Sequence, residues 1–502
     1  MLLPIFLLIF VIVAGAQTHE CNKRWYDQDS FVCVCNYTVC DEPEQLGDFS
    51  DDKAIIYSTS KSSDRLKRTE HAFKSSSAGR TLLVVDPTTR YQRIFGFGGA
   101  VTDSVADIWK TYNPLLPKQY FGKSGIGYGI VRVPIASCDF SKSGYSYLED
   151  DQDFELKSIS FNDGIKVFIE LNCLKQYFVF ANETSYKAPK FIASPWSAPG
   201  WMKENGQMKG GAALRGSFNG IYYLTYARYL QKFFIHYYSE GIKFFGMTIQ
   251  NEPSTGQDPN YNFQTIDFAK VRLRPIFNTH PATKDLALIG HDDDRTYVFD
   301  AAKKTELAIH WYSNKDDHSV LSAVHRLFPD RFILATEANI PLLGSWNYAQ
   351  RYAHDIIQDL NNFVVGWTDW NLVGNFLDSP IIVNQTLKSY PYAEYSDFYK
   401  QPMFYALAHF SMFVVPDSVR IKSTDTKYLP DELDSVAFKT PDGNLVLVVL
   451  NKDDQKTFEL AIGEEQVTNQ FIHLTLEPKS IKTVIWKRKS QINRTQKLKS
   501  DF

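Results

Sequence analysis

The sequence has little of several features that define other classes of protein. Its 502 residues carry 54 Lys and Arg against 57 Asp and Glu, so the net charge of −3 excludes the positive excess typical of nucleic-acid binding. No internal repeat or long linker is present, and after the first 16 residues no segment is apolar enough to cross a membrane. The chain is long enough for one large barrel plus a smaller domain.

The longest apolar run lies at the N terminus. Residues 2–16 are apolar except for one proline and one glycine, and they end in Ala-Gly-Ala, a small-x-small cleavage pattern. The run is too short to span a bilayer comfortably, so residues 1–16 are predicted to be a secretory signal peptide with cleavage near Gln17. We therefore expect a secreted or lysosomal protein.

Cysteine usage agrees with export. Of six cysteines, four lie close together after the predicted signal peptide, at Cys21, Cys33, Cys35 and Cys40. Four close cysteines can hold zinc, but an exported N terminus favours disulfides. The same compartment permits N-glycosylation, for which the sequence offers sequons at Asn36, Asn182, Asn384 and Asn493.

Eight apolar, mostly β-rich runs follow one another through the middle of the chain. They span residues 94–98, 128–134, 191–196, 244–249, 286–290, 307–312, 332–337 and 364–370. Segments with helical character lie between them, such as 221–240 and 348–360. Parallel strands that are buried on both faces read as apolar runs, so this alternation predicts a (β/α)8 TIM barrel over residues 94–419. Its active site is expected at the C-terminal ends of the strands.

The regions on either side of the predicted barrel have a different pattern. Extended runs such as 81–85, separated by turn signals, predict an all-β sandwich domain built from both chain ends, residues 47–93 and 420–487. Residues 17–46 are predicted to form a small disulfide-bonded β segment. Residues 488–502 are basic and are interpreted as a solvated tail, with attraction to anionic lipid as the less favoured alternative.

Two glutamates lie at the ends of predicted barrel strands. Glu252 follows the fourth strand, and Glu337 closes the seventh. A single carboxylate in such a position is more often a helix cap or an ion-pair partner. A pair at one end of a barrel is what glycosidic bond cleavage requires, because one carboxyl protonates the leaving oxygen while the other attacks the sugar.

Several motifs are similar to those of one known family. Besides the cysteine spacing Cys21…Cys33-Val-Cys35…Cys40, they are Phe-Gly-Phe-Gly-Gly-Ala-Val-Thr-Asp at 95–103, Val-Arg-Val-Pro-Ile-Ala-Ser-Cys-Asp-Phe at 131–140, Ala-Ser-Pro-Trp at 193–196, Asn-Glu-Pro at 251–253, His-Trp-Tyr at 310–312, Val-Gly-Trp-Thr-Asp-Trp-Asn at 365–371 and Tyr-Lys-Gln-Pro-Met-Phe at 399–404. On these blocks the chain resembles glycoside hydrolase family 30, in its branch of lysosomal acid β-glucosidases (glucocerebrosidases). The resemblance implies Cys21–Cys33 and Cys35–Cys40 disulfides, a retaining mechanism and neither cofactor nor metal.

The resemblance also implies roles for individual residues. Glu252 would be the acid/base and Glu337 the nucleophile, with Asn251 hydrogen-bonded to the sugar 2-hydroxyl or to the nucleophile. In a retaining enzyme the two carboxyl groups lie about 5–5.5 Å apart. Glu337 has to be ionised, so Arg132 is expected to lower its pKa and Tyr312 to donate a hydrogen bond to it. The charge of Glu337 is expected to raise the pKa of Glu252.

Four further residues match family positions that hold the glucose ring and its hydroxyls. They are Asp139, Trp196, Asp369 and Trp370. For a single tryptophan the alternative is barrel core, and for an aspartate it is a salt-bridged strand end. The run His-Asp-Asp-Asp at 291–294 suggests a metal site, but three adjacent carboxylates are interpreted as a solvated turn.

Some segments are shorter than the family pattern. The loops after Glu337 and Asn371 are truncated where the active-site rim is expected, and residues 295–307 leave little room for a fifth barrel helix. Rim loops shape the aglycone entrance, so these differences bear mainly on substrate specificity.

The sequence thus predicts a secreted or lysosomal retaining β-glucosidase that cleaves glucosylceramide-like lipids to glucose and ceramide. A lipid substrate implies contact with an anionic membrane surface, and the resemblance implies a saposin-type activator as partner. Two alternatives remain. The chain could act on another β-glucoside or a soluble glycan, or it could be a catalytically dead relative that only binds sugar or lipid.

Overall fold

Three β-sheets organise the molecule. The computed structural model describes residues 20–26, 28–112, 115–161, 174–175, 189–254, 267–312, 317–340, 343–374, 379–383, 397–424 and 428–488. Their strands form a closed barrel, a nine-stranded sheet and a five-stranded sheet. The predicted signal peptide, the predicted tail beyond residue 488 and the sequons at Asn182, Asn384 and Asn493 lie outside the described residues.

The strands are numbered in chain order. Before the barrel come β1 (Lys23–Trp25), β2 (Phe31–Cys35), β3 (Lys53–Ser60), β4 (Lys67–Ala72) and β5 (Thr81–Arg93). The barrel consists of β6 (Gly96–Ala100), β7 (Ile130–Ile135), β8 (Lys190–Pro195), β9 (Phe244–Thr248), β10 (Ala287–Asp294), β11 (Glu306–His310), β12 (Ile333–Glu337) and β13 (Val364–Asn371). After it come β14 (Val373–Gly374), β15 (Ile381–Val383), β16 (Phe398–Lys400), β17 (Val419–Ser423), β18 (Leu433–Lys439), β19 (Asn444–Asn451), β20 (Phe458–Glu464), β21 (Phe471–Leu476) and β22 (Ser480–Lys487).

Helices connect the barrel strands. They are α1 (Asp103–Tyr112), α2 (Leu115–Phe121), α3 (Ile221–Ser239), α4 (Arg274–Phe277), α5 (Val298–Ala302), α6 (Ser319–Leu327), α7 (Trp346–Asn361) and α8 (Pro402–Ser411). The predicted helices at 221–240 and 348–360 are α3 and α7. The helix after the fifth barrel strand, α5, has only five residues, as the short spacing there predicts. No helix of the described ranges combines the length and apolarity needed to cross a membrane.

All eight predicted runs are barrel strands. Each strand pairs in parallel with the next, and β13 closes the barrel on β6. Along β7 every residue is buried, because alternate side chains point into the barrel and outward beneath the helices. The inward side chains at one level form a small apolar layer made of Ile130, Ile192, Ile289, Ala308 and Leu334. Polar groups of the site lie directly above this layer.

The nine-stranded sheet draws strands from both sides of the barrel. Its order is β21-β20-β5-β17-β18-β19-β22-β3-β4, so β5 from the N-terminal part lies between two C-terminal strands. One face has its own apolar core, and the other packs on the barrel. At that contact the buried ring of His409 on α8 lies 2.8 Å from the hydroxyls of both Thr59 and Thr483. The predicted fold class, a TIM barrel with an all-β domain formed by both chain ends, is confirmed.

The five-stranded sheet contains the disulfide-bonded N-terminal segment. Its order is β1-β2-β16-β15-β14, so residues near the N terminus pair with a strand that follows the barrel. The structure contains the disulfides Cys21–Cys33 and Cys35–Cys40, the pairs that the resemblance implies. Asp41 fixes the end of the segment by accepting a 2.7 Å hydrogen bond from Tyr405 on α8.

Candidate active site

The side chains above the apolar layer of the barrel are polar. Arg132, Ser194 and His310 each lie two residues after a member of that layer, so strand alternation points them into the barrel. Asp292 on β10 joins all three. Its carboxylate accepts hydrogen bonds of 2.9 Å from Arg132 and 2.8 Å from Ser194, and it lies 3.0 Å from His310 Nε2. The hydroxyl of Thr336 donates a fourth bond at 2.8 Å.

This position of Asp292 corrects a prediction. Residues 291–294 are not a solvated turn, because they belong to β10 and the Asp292 side chain is completely buried. Burial raises the pKa of Asp292, but Arg132 and His310 lower it by more, so its pKa lies well below the ordinary value. Asp292 is therefore a fixed negative charge at the centre of the polar layer.

Glu337 is the last residue of β12 and lies beside Arg132. Pairing with β11 shifts by one residue at this point, so Thr336 and Glu337 both contact the polar layer. Arg132 donates to one oxygen of Glu337, and Tyr312 donates to the other at 3.0 Å, as predicted. Burial raises the pKa of Glu337, whereas His310 and Arg132 lower it. Arg132 thus lowers the pKa of Glu337 as expected, but burial outweighs both cations and the pKa stays above its ordinary value.

Glu252 sits on a strained turn that follows β9. Its φ of 41° lies in the left-handed region, which non-glycine residues seldom adopt. The turn is held because the N–H of Glu252 donates to the carbonyl of Asp292 at 2.8 Å and that of Asn251 donates to Pro195 at 2.9 Å. The Asn251 side chain accepts from Arg132 at 2.6 Å. This bond orients Asn251, and Glu337 is not its partner.

His310 connects the two halves of the site. Its Nδ1 lies 2.9 Å from Glu252 Oε1 and its Nε2 lies 3.0 Å from Asp292. Burial lowers the pKa of His310, but Glu337 and Asp292 raise it, to about 10. One carboxylate oxygen of Glu252, one of Glu337 and one ring nitrogen of His310 all lie within 4.8 Å of one another. The two glutamates therefore face each other across a short gap.

A cavity of about 610 Å³ opens above these groups. Asp139, Glu252, Tyr312, Glu337 and Trp370 line it. The rings of Trp370 and Trp196 stack with centroids 5.0 Å apart and planes 7° apart. The Trp196 indole donates to Asp139 at 3.2 Å, which orients both side chains. The cavity thus combines paired carboxylates with aromatic faces of the kind that pack on sugar rings.

Asp369 does not share this surface. Its side chain is 1% exposed and accepts a 2.7 Å hydrogen bond from Tyr352 on α7. Trp370 lines the cavity, whereas Asp369 does not. The structure separates Asp369 from the other three predicted sugar-binding residues, and the prediction that it binds sugar does not fit its position.

Three groups of described side chains have ligand atoms spaced closely enough for a metal ion. In one of them, Cys35, Cys40 and Asp41, both cysteines belong to a disulfide. The other two are, first, Glu252, His310 and Glu337 and, second, His318, Asp355 and Asp359. Arg132 contacts the first group and Arg295 the second. A fixed guanidinium charge beside each opposes the binding of a cation.

Of the four sequons, Asn36 lies in the disulfide-bonded segment that the structure describes. Its amide donates to Asp397 at 3.4 Å, a contact that glycosylation would have to replace.

Sequence reasoning missed the roles of Asp292, His310, Ser194 and Thr336. Their signal is the two-residue period of inward positions: Ser194 lies two residues before Trp196, and His310 two residues before Tyr312. Applying that period to the predicted strands gives Ser194, His310 and Thr336. Asp292 lies three residues after Ile289 of the apolar layer, because the pairing of β10 shifts there, so the period does not find it.

Known proteins share this architecture. The profile of the Glycosyl hydrolase family 30 TIM-barrel domain matches residues 94–414, and that of the Glycosyl hydrolase family 30 beta sandwich domain matches residues 417–484. Among solved structures, SrfJ from Salmonella typhimurium superimposes with a TM-score of 0.74 over 87% of this chain and 100% of that chain, at 24% identity. This likeness shows the fold alone.

Sequence relatives extend over nearly the whole chain. It is 39% identical to a Caenorhabditis elegans protein named "Putative glucosylceramidase 3", over 96% of this chain and 98% of that protein. It is 34% identical to the lysosomal acid glucosylceramidase of Mus musculus, over 94% of this chain and 96% of that protein. An endo-1,6-beta-D-glucanase of Aspergillus fumigatus is 25% identical over 74% of this chain and 81% of its own length. The chain is a glycoside hydrolase and belongs to glycosyl hydrolase family 30.

Proposed function

We propose that the protein is a retaining β-glucosidase that cleaves glucosylceramide to glucose and ceramide. One observation carries the mechanism: an oxygen of Glu252 and an oxygen of Glu337 lie within 4.8 Å of each other. Retaining glycosidases hold their carboxyl groups about 5–5.5 Å apart, whereas inverting enzymes need about 6.5–9.5 Å to admit a water molecule. The short gap favours direct attack on the sugar by one of the glutamates.

In the first step Glu337 attacks the anomeric carbon of glucose. The bond from that carbon to the glycosidic oxygen breaks, an ester to Glu337 forms, and Glu252 gives its proton to the departing oxygen. Glu337 suits the attacking role because Arg132 and Tyr312 each hold one of its oxygens. Those two bonds fix the carboxylate and stabilise its charge until it attacks.

In the second step the ionised Glu252 removes a proton from water, and the resulting hydroxide breaks the ester at the anomeric carbon. Glucose leaves and the Glu337 carboxylate is restored. His310 is in contact with Glu252 on one side and Asp292 on the other. A proton held between His310 and Glu252 is available for the leaving oxygen in each cycle.

The sugar is held by Asp139, Trp196 and Trp370. Asp139 accepts from glucose hydroxyls, and the stacked indoles cover an apolar face of the ring. Asp369 has a positioning role, because its bond to Tyr352 fixes the strand that carries Trp370. Asn251 is oriented by Arg132 toward the sugar 2-hydroxyl.

The lipid part of the substrate is supported by the relatives and by the cavity mouth. Tyr297 lines the cavity and is 50% exposed, which offers an aromatic surface to an aglycone. A ceramide substrate lies in a bilayer, so we propose contact with an anionic membrane surface and a saposin-type activator as partner. It also fits a secretory route to the lysosome after removal of residues 1–16.

The mechanism is tested with a β-glucose-configured epoxide that traps retaining nucleophiles. Peptide mass spectrometry of the treated full-length protein is expected to find one adduct, on Glu337, and none on Glu252 after equal exposure. An adduct on another residue would reject the assignment. Failure of a folded sample to form any adduct would favour the alternative of a binding protein without activity.

The substrate is tested separately by comparing glucosylceramide in anionic vesicles with soluble β-1,6-glucan. We expect glucose release from the lipid and little from the glucan. The reverse order would keep the mechanism and assign the protein to soluble glycans, in line with its similarity to the Aspergillus glucanase.

A further inference from the structure

A second cavity lies where the nine-stranded sheet meets the C-terminal end of α7. Its volume of about 1080 Å³ exceeds the 610 Å³ of the catalytic cavity. Arg420, Lys422, Tyr91, Asn361, Phe363 and Ser435 are among its lining residues. Neither Glu252 nor Glu337 belongs to it, so any ligand there binds apart from the catalytic groups.

The guanidinium of Arg420 is held rigidly in the wall of this cavity. Its Nε donates to the side-chain oxygen of Gln92 at 2.9 Å, and its carbon lies 3.7 Å from the ring centre of Tyr91. Gln92 is fixed in turn because its amide donates to the carbonyls of Leu360 and Val364 at 2.6 and 3.0 Å. The guanidinium carbon also lies 5.1 Å from the ring centre of Phe363. Two aromatic rings and one hydrogen bond thus hold the guanidinium, and its two terminal nitrogens form a fixed fork of donors.

No described carboxylate neutralises this cation. Arg420 is 8% exposed, and its terminal nitrogens make neither an ion pair nor a hydrogen bond with any residue the structure describes. The buried Arg132 and Arg295 each contact two carboxylates. Burial lowers the pKa of Arg420 to about 10, with only Tyr91 opposing it. Neither terminal nitrogen is among the fully buried, unpartnered polar atoms of the described residues, so both open toward the cavity, where an anion can reach them.

Acidic residues of the same cavity have other partners. Asp86 accepts from the hydroxyl of Thr89 at 2.6 Å, and Glu464 accepts from Arg488 at 2.8 Å. Glu465, the third acid in the lining, is exposed to solvent. None of the three forms an ion pair with Arg420. An anion that enters here meets an open guanidinium while two of the three carboxylates are already engaged.

The rest of the lining suits a neutral, hydroxylated ligand body. Ser435 is buried, and its hydroxyl has no hydrogen-bond partner among the described side chains and backbone. The side chains of Asn361 and Asn469 add amide groups, and Tyr428, 73% exposed, adds an aromatic ring. Amides and hydroxyls bind sugar hydroxyls, and aromatic rings pack on sugar faces.

We propose that this second cavity binds an acidic sugar, a saccharide with one carboxylate, sulfate or phosphate group, and that the fork of Arg420 holds that group. Lys422, two residues along the same strand, lines the same cavity and adds long-range attraction. A carboxylate, sulfate or phosphate group accepts two parallel bonds from a guanidinium, which gives geometric selectivity as well as attraction. The site is independent of the proposed catalytic mechanism.

Ligand-detected NMR and calorimetry on the full-length protein test the proposal with four probes: methyl β-glucuronide, glucose 6-phosphate, neutral methyl β-glucoside and inorganic phosphate. We expect the two acidic sugars to bind at least tenfold more tightly than either the neutral glucoside or inorganic phosphate. Binding of the acidic sugars should survive Glu337→Gln, which separates this site from the catalytic one. Equal binding of the neutral sugar, or of phosphate alone, would overturn the proposal.

Variants locate the site. Arg420→Gln is expected to weaken binding of acidic sugars at least tenfold. Lys422→Glu reverses an exposed charge and leaves the buried core unchanged, so it tests the site even if Arg420→Gln does not fold. It is expected to weaken binding of acidic sugars severalfold. Arg93→Gln is the matched control, since Arg93 is 68% exposed on the neighbouring strand and pairs with Asp417. Unchanged binding in folded Lys422→Glu, or an equal loss in Arg93→Gln, would contradict the assignment.

Discussion

Two buried charge clusters in this molecule each contain one arginine, one histidine and several carboxylates, but they differ in access to the solvent. The active-site cluster consists of Arg132, Asp292, His310, Glu337 and Glu252. The sealed cluster, formed between α7 and the barrel, consists of Arg295, His318, Asp355 and Asp359. In each, one arginine contacts two carboxylates and one histidine lies within 4 Å of both of them.

The difference between the clusters lies in what surrounds them. Glu252 has a quarter of its side chain exposed to the catalytic cavity, whereas no side chain of the sealed cluster exceeds 8%. In the sealed cluster Trp367 donates to Asp355 at 3.0 Å, and neither oxygen of Asp359 has a hydrogen-bond partner in the described residues. A buried cluster of charged residues with a histidine is therefore not by itself a reactive site. The active-site cluster differs because one of its carboxylates is open to a cavity large enough for a sugar.

The largest expected effect separates the clusters by function. Glu337→Gln is expected to lower kcat for an aryl β-glucoside by at least ~10⁴-fold, because it removes the attacking carboxylate while keeping the size of the side chain. The amide oxygen can still accept from Arg132, and the amide nitrogen can donate to the Tyr312 hydroxyl. Asp355→Asn is the matched change in the sealed cluster. It should leave kcat per folded molecule within about twofold of wild type. A comparable loss of kcat in both variants would show that the two clusters do not differ in function.

The second effect concerns stability and should be shared. Arg132→Met and Arg295→Met each leave two carboxylates without their cation, so each is expected to cost about 3–5 kcal/mol in the free energy of unfolding. Urea unfolding at pH 8, where Asp359 as well as Asp355 is ionised, measures this cost. Only Arg132→Met should also lower kcat in the fraction that remains folded. A small stability loss for Arg295→Met would show that the sealed cluster does not anchor α7.

The third effect is a pH dependence that belongs to the sealed cluster. Burial raises the pKa of Asp359 to about 7, although Arg295 lowers it, while Asp355 has its pKa lowered to about 2, because the attraction of Arg295 outweighs burial. Between about pH 4 and pH 7 the folded state then holds a proton on Asp359 that the unfolded state releases. Stability is therefore lost as pH rises through this window.

Asp359→Asn removes that titration. Relative to wild type, the variant is expected to gain about 2 kcal/mol on going from pH 5 to pH 7.5. Asp355→Asn is the control, and it should be destabilised at both pH values because the lowered pKa of Asp355 stabilises the fold above about pH 4. Parallel stability curves for wild type and Asp359→Asn would contradict the raised pKa.

Much of the fold followed from the sequence because it depends on local pattern. Parallel barrel strands are apolar on both faces, so all eight were recognisable as runs, and the positions of Glu252 and Glu337 at strand ends followed directly. The short spacing between the fifth and sixth barrel strands also limited the length of the helix between them. These features need no knowledge of which side chain points inward.

The polar layer could not be found in the same way, since it depends on register. Asp292 belongs to an eight-residue strand of which only the first part has an apolar pattern, so its run resembled a turn. The one-residue shift beside Glu337 changes which residues of β12 face inward. Asp369 and Trp370 were predicted to act together, but only Trp370 lines the catalytic cavity, while Asp369 is bonded to Tyr352. Family motifs identify candidate residues, but the register of the strands determines which of their side chains are in contact.

The smallest expected effect tests how His310 serves the two glutamates. His310 has its pKa raised to about 10 and lowers the pKa of Glu337, so it is charged at working pH and favours the ionised nucleophile. His310→Gln is expected to move the acid limb of the profile of kcat/KM against pH upward by about one unit, because Glu337 then ionises at a higher pH. His318→Gln, the counterpart in the sealed cluster, should leave that limb in place.

The His310→Gln substitution also affects stability. The raised pKa of His310 stabilises the fold fully below about pH 6.5, and this stabilisation is lost as pH rises toward 10. His310→Gln should lack that alkaline loss. An unmoved acid limb together with an unchanged alkaline stability curve would show that His310 is a spacer between Glu252 and Asp292 and that its charge has no part in the site.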